Sequence, residues 1–122
     1  MIVVSVVIAG IAGAVIRFAV SRLSASRSTF PWAVLAVNVV GSALGGVIVA
    51  LWVYAGLSTE WRLILFTGFC GGLTTFSTFS VESVQLAIAG RYRVLVGSVA
   101  ANLVLGVGAV AVAFAIASAL AR

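Results

Sequence analysis

The sequence predicts an all-α integral membrane protein with four transmembrane helices. Three observations support this: 64% of the 122 residues are hydrophobic, only 7% are charged, and the apolar residues form four long runs. A soluble domain carries about 25% charged residues, so this chain has too little polar surface to face water on all sides. Its length allows one small helical bundle and predicts no second domain.

Each apolar run reaches the roughly 20 residues needed to cross about 30 Å of hydrocarbon. We predict helices at about residues 2–20, 31–54, 61–89 and 94–121. No basic segment with a small-residue cleavage site opens the chain, so the first run is expected to be a retained helix. Aromatic residues at the ends of the runs fit an interfacial belt: Trp32, Trp52, Tyr54, Trp61 and Tyr92.

All seven basic residues are arginines, against two acids, and they lie mostly at the ends of the apolar runs. That placement favours topology control and contact with lipid headgroups, and argues against a nucleic-acid partner. The links between helices 1 and 2 and between helices 3 and 4 carry Arg22, Arg27, Arg91 and Arg93, while the opposite side carries Arg62 and Arg122. This modest bias would place both termini outside the cell.

The residue types do not predict an enzyme. The two carboxylates, Glu60 and Glu82, are 22 residues apart, and no phosphate-binding GxxxxGK loop exists. Histidine is absent, and Cys70 is the only cysteine, which excludes an intrachain disulfide.

The stretch "GFCGGLTTFSTF", residues 68–79, concentrates glycines and hydroxyls inside an apolar run. Polar groups within a bilayer need partners or line a path, so such a cluster is a functional candidate. Gly71-Gly72 predicts a helix break nearby, because glycine tolerates unusual backbone conformations. Freed carbonyls would suit a hard cation, whereas hydroxyl and amide protons would replace the water around an anion.

Phe76 and Phe79 follow in the same stretch, at a spacing that puts both rings on one helix face. Aromatic rings carry positive edges that an anion could meet. Spacing alone nevertheless favours two core aromatics over two pore residues.

Three motifs occur in order along the chain: "GAVIRF", "VNVVGS" and "GFCGGLTTFSTFSVE". Together they resemble the Fluc (CrcB) family of bacterial fluoride channels, over essentially the whole chain. The resemblance implies a multi-pass protein of the bacterial plasma membrane that exports fluoride passively from the cytoplasm. It also implies a dual-topology, antiparallel homodimer with two fluoride paths at the subunit interface.

The family's functional positions transfer to this chain only through the matching motifs. A structural sodium ion at the dimer centre would be bound by the backbone carbonyls of Gly71 and Thr74. The fluoride path would be lined by Asn38, Phe76, Phe79, Ser77, Thr78, Ser80 and Glu82, which replaces the core-packing interpretation of the two rings. Arg17 and Asn102 are candidates for a vestibule or for the interface, and Arg17 could alternatively anchor the helix end at the headgroups.

Alternative functions remain open at this point. A small proton-coupled multidrug transporter has the same size and helix number but relies on a glutamate in its first helix, which this chain lacks. A cation channel would need several stacked carbonyl rings. A non-transporting assembly factor would not need the six hydroxyls of Thr67, Thr74, Thr75, Ser77, Thr78 and Ser80. Because the arginine bias is not zero, the partner could also be a paralogous sister subunit of opposite orientation.

Overall fold

The computed structural model describes residues 1–24 and 28–122, and within these ranges every regular element is a helix. Arg27, one of the arginines of the first link, lies outside the described residues. The elements in chain order are α1 (Ile2–Leu23), α2 (Trp32–Tyr54), α3 (residues 59–73), α4 (Ser77–Ile88) and α5 (Tyr92–Leu120). α3 consists of three successive pieces, Thr59–Arg62, Leu63–Cys70 and Gly71–Leu73.

In the described part of the chain, four segments are long and apolar enough to span a membrane: α1, α2, α5, and the combination of α3 and α4 over Thr59–Ile88, called the third span below. Their bounds lie within three residues of those expected from the sequence. Large apolar side chains cover the outside of the bundle, as on Ile8 and Val15 of α1 and on Leu103 and Val107 of α5. This arrangement fits lipid around the helices, because lipid tails are as apolar as these side chains.

α1 packs mainly against α3, and α2 packs mainly against α5. The α1–α3 contact depends on glycine, since a Cβ added at Gly68 would lie 2.7 Å from the Val6 carbonyl oxygen. A Cβ at Gly13 would lie 2.7 Å from the Leu73 backbone nitrogen, and one at Gly72 would overlap the Gly10 carbonyl. The two backbones therefore touch directly, as small residues permit in membrane helix pairs.

The middle piece of α3, Leu63–Cys70, is π-helical, with i→i+5 hydrogen bonding. π-Helical turns are rare and often occur at functional sites. This one leads directly into the short Gly71–Leu73 piece and then into the break of the third span.

The break lies slightly further along than the sequence predicts. Gly71 is helical (φ −63°, ψ −35°), and the chain turns extended only at Thr74 (φ −76°, ψ 157°), so residues 74–76 separate α3 from α4. The reason is that Gly72 serves the close contact with α1, which needs a small residue but an ordinary helical backbone. Gly71-Gly72 thus marks the neighbourhood of the break without forming it.

Arginines lie at both ends of the bundle. At one end the Arg62 guanidinium lies 4.5 Å from the Trp52 ring centroid, and Arg122 lies 4.6 Å from the Tyr54 ring and donates to its hydroxyl at 3.1 Å. Arg91 precedes α5 at the opposite end. These cation–π pairs fit the expected aromatic belt at a membrane surface.

Candidate functional site

The break between α3 and α4 is held by Asn38, which lies 37 residues earlier on α2. Asn38 Oδ1 accepts a hydrogen bond from the Thr75 N–H at 2.8 Å, and Asn38 Nδ2 donates to the Thr75 carbonyl at 3.3 Å. Thr75 is only 7% exposed. A single side-chain amide therefore satisfies both backbone polar groups of a buried residue that has left the helix, as burial requires.

A short chain of amides continues from the break to α5. The Asn38 Nδ2 group also donates to Asn102 Oδ1 at 2.9 Å, and Asn102 Nδ2 donates to the Ser98 carbonyl at 3.0 Å. Both protons of the Asn38 amide are thus engaged within the protomer. The structure brings Asn38 and Asn102 together, although they are 64 residues apart in sequence.

The hydrogen bonds that stabilise the break leave the carbonyls of Gly71 and Thr74 without their helical N–H donors. In a continuous α-helix the N–H of Thr75 would bond to the carbonyl of Gly71, but it bonds to Asn38. The N–H of Thr78 would bond to the carbonyl of Thr74, but it donates to Thr75 Oγ1 at 3.1 Å. Gly71 and Thr74 are the two residues whose carbonyls the family resemblance assigns to sodium.

Gly71 and Thr74 line an open groove of about 390 Å³ between α2, α3 and α5. Glycines form much of its wall, among them Gly41 and Gly45. A Cβ at Gly41 would overlap the Thr74 methyl group, so α2 needs glycine here to admit the break. Asn38 and Gly41 lie one helical turn apart, and both meet the residues that follow α3.

The donor set fits a hard monovalent cation. Among the described residues no cluster of histidine, cysteine or carboxylate side chains could hold a metal. Backbone carbonyl oxygens without a helical partner are the ligands that alkali cations take in membrane proteins. The carbonyls of Gly71 and Thr74 are two such oxygens.

The two phenylalanines of the stretch lie next to each other, with ring centroids 6.1 Å apart and ring planes inclined by 41°. Phe76 is 79% exposed in the protomer, which excludes core packing of this ring within one subunit. Phe79 is half-buried. An exposed aromatic ring beside a helix break is available to a partner subunit or to an ion.

The hydroxyls divide into two groups. Thr74 Oγ1, Ser80 Oγ and Ser83 Oγ donate to the carbonyl four residues earlier, at 2.9, 2.8 and 2.7 Å. The other group surrounds Thr75 Oγ1, which donates to Thr78 Oγ1 at 3.1 Å and lies 3.4 Å from Ser77 Oγ. Back-bonding to the helix thus engages three hydroxyls of the third span.

Thr75 belongs to the hydroxyl cluster, but the sequence assigns it neither to the fluoride path nor to the sodium site. Its hydroxyl caps the first turn of α4 through the Thr78 N–H. The S/T run alone gives no means of choosing it over Thr74 or Thr78. The helix break, once placed at residues 74–76, would have identified it as the cap.

Glu82 lies in α4 away from the Asn38 amide. It lines a second cavity of about 470 Å³ together with Gln85, Ser21, Thr29 and Arg91. One carboxylate oxygen of Glu82 is buried without a hydrogen-bond partner among the described residues. Glu82 therefore faces a cavity that Gly71 and Thr74 do not line, and its assignment to the fluoride path stays a prediction.

Arg17 extends from α1 to the break. Its Nε donates to the carbonyl of Gly72 at 3.2 Å, and the contact is partly buried. The side chain that the sequence assigns to a vestibule, to the interface or to a headgroup anchor therefore contacts the backbone of the third span.

Comparison of the sequence with known proteins identifies a family. Residues 4–114 match the family described as "CrcB-like protein, Camphor Resistance (CrcB)". The chain is 42% identical over 111 residues to the fluoride-specific ion channel FluC of Saccharophagus degradans, covering 89% of this chain and 84% of that protein. It is 47% identical over 95 residues to the fluoride-specific ion channel FluC 1 of Leifsonia xyli, covering 76% and 69%. A third relative, the fluoride-specific ion channel FluC of Renibacterium salmoninarum, is 39% identical over 117 residues, covering 89% and 93%. The chain belongs to the CrcB family.

Proposed function

We propose that the protein is a fluoride-selective channel of the bacterial plasma membrane that lets fluoride leave the cytoplasm passively. The observation that carries the proposal is the break at residues 74–76, where an exposed phenylalanine ring lies beside a cluster of hydroxyl and amide donors. Family membership and relatives named as fluoride-specific ion channels support the same assignment. The protein is not an enzyme.

Fluoride is small and strongly hydrated, so a narrow path must replace its water with hydrogen-bond donors and ring edges. Phe76 and Phe79 supply ring edges, and Ser77, Thr78 and Ser80 supply hydroxyls. Ser80 and Asn38 already donate inside the protomer, so their contact with fluoride exchanges one hydrogen bond for another. Hydrogen bonds to an anion are stronger than those to a neutral carbonyl, which offsets part of the cost of giving up the internal bond.

The second copy that completes the path is an antiparallel partner seated on the glycine-lined groove. A twofold axis beside Gly71 and Thr74 would bring four carbonyl oxygens around one sodium ion without a buried carboxylate. When bound, that structural cation raises the electrostatic potential that a passing anion meets. The partner is a second copy of this chain, or a paralogous subunit if the arginine bias fixes one orientation.

The direction of transport follows from acid–base chemistry outside the protein. Hydrogen fluoride crosses the bilayer uncharged and dissociates in the cytoplasm, which traps the anion. A passive channel then allows the membrane potential, negative inside, to drive fluoride out. Neither a coupling ion nor a conformational cycle is required for this.

The test is fluoride efflux from liposomes that hold the purified protein, followed with a fluoride electrode, with chloride-loaded liposomes in parallel. We expect fast fluoride release with little chloride release. Equal release of both anions would contradict selectivity. Absence of fluoride release from folded protein, even after co-expression with a paralogous subunit, would favour the proton-coupled transporter, which a drug-driven proton flux assay would detect.

A further inference from the structure

The Arg17–Gly72 contact has no role in the fluoride path described above. Gly10, Gly13 and Arg17 follow one another on α1 at intervals of three and four residues, so they share one helix face. The two glycines bring the α1 backbone against α3, and Arg17 lies one turn further along that face. Its side chain therefore reaches the third span where α3 ends.

The carbonyl of Gly72 needs a partner because of where it lies. In a continuous helix its donor would be the N–H of Phe76, but the chain leaves helical geometry at Thr74. The last piece of α3 is only three residues long and begins with two glycines, which hold a helical conformation weakly. Within a bilayer, water does not compensate for a lost backbone bond.

We propose that Arg17 is a positioning residue that holds the Gly72 carbonyl and thereby fixes the end of α3. Among the carbonyls of residues 71–74, which all lose their helical donor, Arg17 occupies that of Gly72 and leaves those of Gly71 and Thr74 for a cation. Asn38 fixes the break from α2, and Arg17 fixes it from α1. Only the flux measurement below rests on the proposed function.

This role differs from headgroup anchoring and from attraction of anions by charge alone. An anchor would act on the tilt of α1 and not on the backbone of residues 71–76. A purely electrostatic arginine would change fluoride flux while leaving the break as rigid as before. The rigidity of the break therefore distinguishes positioning from both alternatives.

The experiment compares Arg17→Gln and Arg17→Lys with the matched control Arg22→Gln. Arg22 lies on the same helix and carries the same charge, but its guanidinium lies 5.7 Å from the Phe18 ring and does not approach the break. Hydrogen–deuterium exchange of the amides of residues 71–78 is measured on the purified protein, and fluoride efflux is measured in liposomes.

We expect Arg17→Gln to speed exchange in residues 71–78 by about tenfold or more, since a hydrogen bond from a charged donor is lost. Arg17→Lys, which keeps a charged donor, should restore most of the protection and most of the flux. Arg22→Gln should change neither. If Arg17→Gln folds too poorly for study, Arg17→Met replaces it, because it also lacks a charged donor and should show the same faster exchange, while Arg17→Lys stays the comparison that restores protection.

Unchanged exchange in Arg17→Gln would overturn the proposal, whether or not flux falls. Exchange in Arg17→Lys as fast as in Arg17→Gln would overturn it as well. Failure of the unchanged protein to conduct fluoride would count against the proposed function. The hydrogen–deuterium exchange measurement would still test the role of Arg17, because it does not depend on fluoride conduction.

Discussion

The third span contacts α1 and α2, and the two contacts differ in whether backbone or side-chain atoms approach it. Along most of the α1–α3 contact, glycines let the two backbones touch, and a side chain, Arg17, donates to the α3 backbone only at the end of the contact. Where α2 meets the break, the Asn38 amide takes up the N–H and the carbonyl of Thr75. The difference follows from the hydrogen bonds of the backbone. Where the helical hydrogen bonds of the third span are made, the backbone of a neighbouring helix can pack directly against it. Where they are interrupted, the neighbouring helix must supply hydrogen-bond donors and acceptors.

The largest effect should come from removing the amide at the break. Asn38→Leu leaves both backbone groups of Thr75 unpaired, which should lower the free energy of unfolding by about 3 kcal/mol or more. Asn102→Ala, the matched control, removes only one of the Asn38 hydrogen bonds and should cost about 1 kcal/mol. Denaturation in detergent micelles gives both values, and equal losses would contradict a special role for Asn38.

The next effect tests the backbone contact. Gly72→Ala places a methyl group on the Gly10 carbonyl, and such overpacking should cost about 1–3 kcal/mol. In Gly71→Ala the nearest atom to the new methyl is the Phe66 carbonyl oxygen at 3.9 Å, so the change in unfolding free energy should stay within about 0.5 kcal/mol. The two adjacent glycines should therefore respond differently, and a similar response would argue against direct α1–α3 backbone contact.

A smaller effect concerns the cap of α4. Thr75→Val removes the hydroxyl that accepts the Thr78 N–H, and the loss of such a cap costs about 1 kcal/mol. Thr75→Ser keeps the hydroxyl and should retain most of the stability. Thermal unfolding of the two variants side by side checks this. A valine variant as stable as the serine variant would show that the Thr75 hydroxyl does not stabilise α4.

The smallest effect on stability should accompany a large effect on transport. Phe76→Ile changes a ring that is 79% exposed, so unfolding should change by no more than about 0.5 kcal/mol. Fluoride efflux should fall by about tenfold or more, because a branched alkyl group offers no positive edge. Phe18→Ile, a change at a 65% exposed ring on α1, should alter neither quantity. Unchanged efflux in the Phe76 variant would remove that ring from the mechanism.

The sequence predicts the four spans well because the bilayer leaves few choices. A run of about 20 apolar residues must satisfy its own backbone, and only a helix does so within one segment. The break was harder to place. Two adjacent glycines are typical of a helix break, but glycine is equally typical of a helix that packs closely against another backbone. Only the contact between Gly72 and Gly10 on the neighbouring helix shows which of the two applies here.

The sequence names the residues of the candidate site but not their contacts. Motif resemblance selected Asn38 and the phenylalanines, and composition alone marked the hydroxyl-rich stretch. The partner of Arg17 is a main-chain carbonyl, and the partner of Asn38 is the main chain of Thr75. Every residue has a main chain, so the sequence carries no complementary side chain that would reveal either pairing.

The π-helical piece Leu63–Cys70 has a consequence for which insertions and deletions this protein tolerates. A π-helical turn holds about one residue more than an α-helical turn, and one residue corresponds to about 100° of rotation around the helix axis. Deleting one residue here would let the segment relax to ordinary α-helix while its start, near Trp52 and Arg62, stays in place. Everything beyond it, including the surface that carries Gly68 and Gly72, would turn away from α1. The number of residues in this segment is therefore constrained as tightly as their identities, and length variation should be confined to the connections between spans.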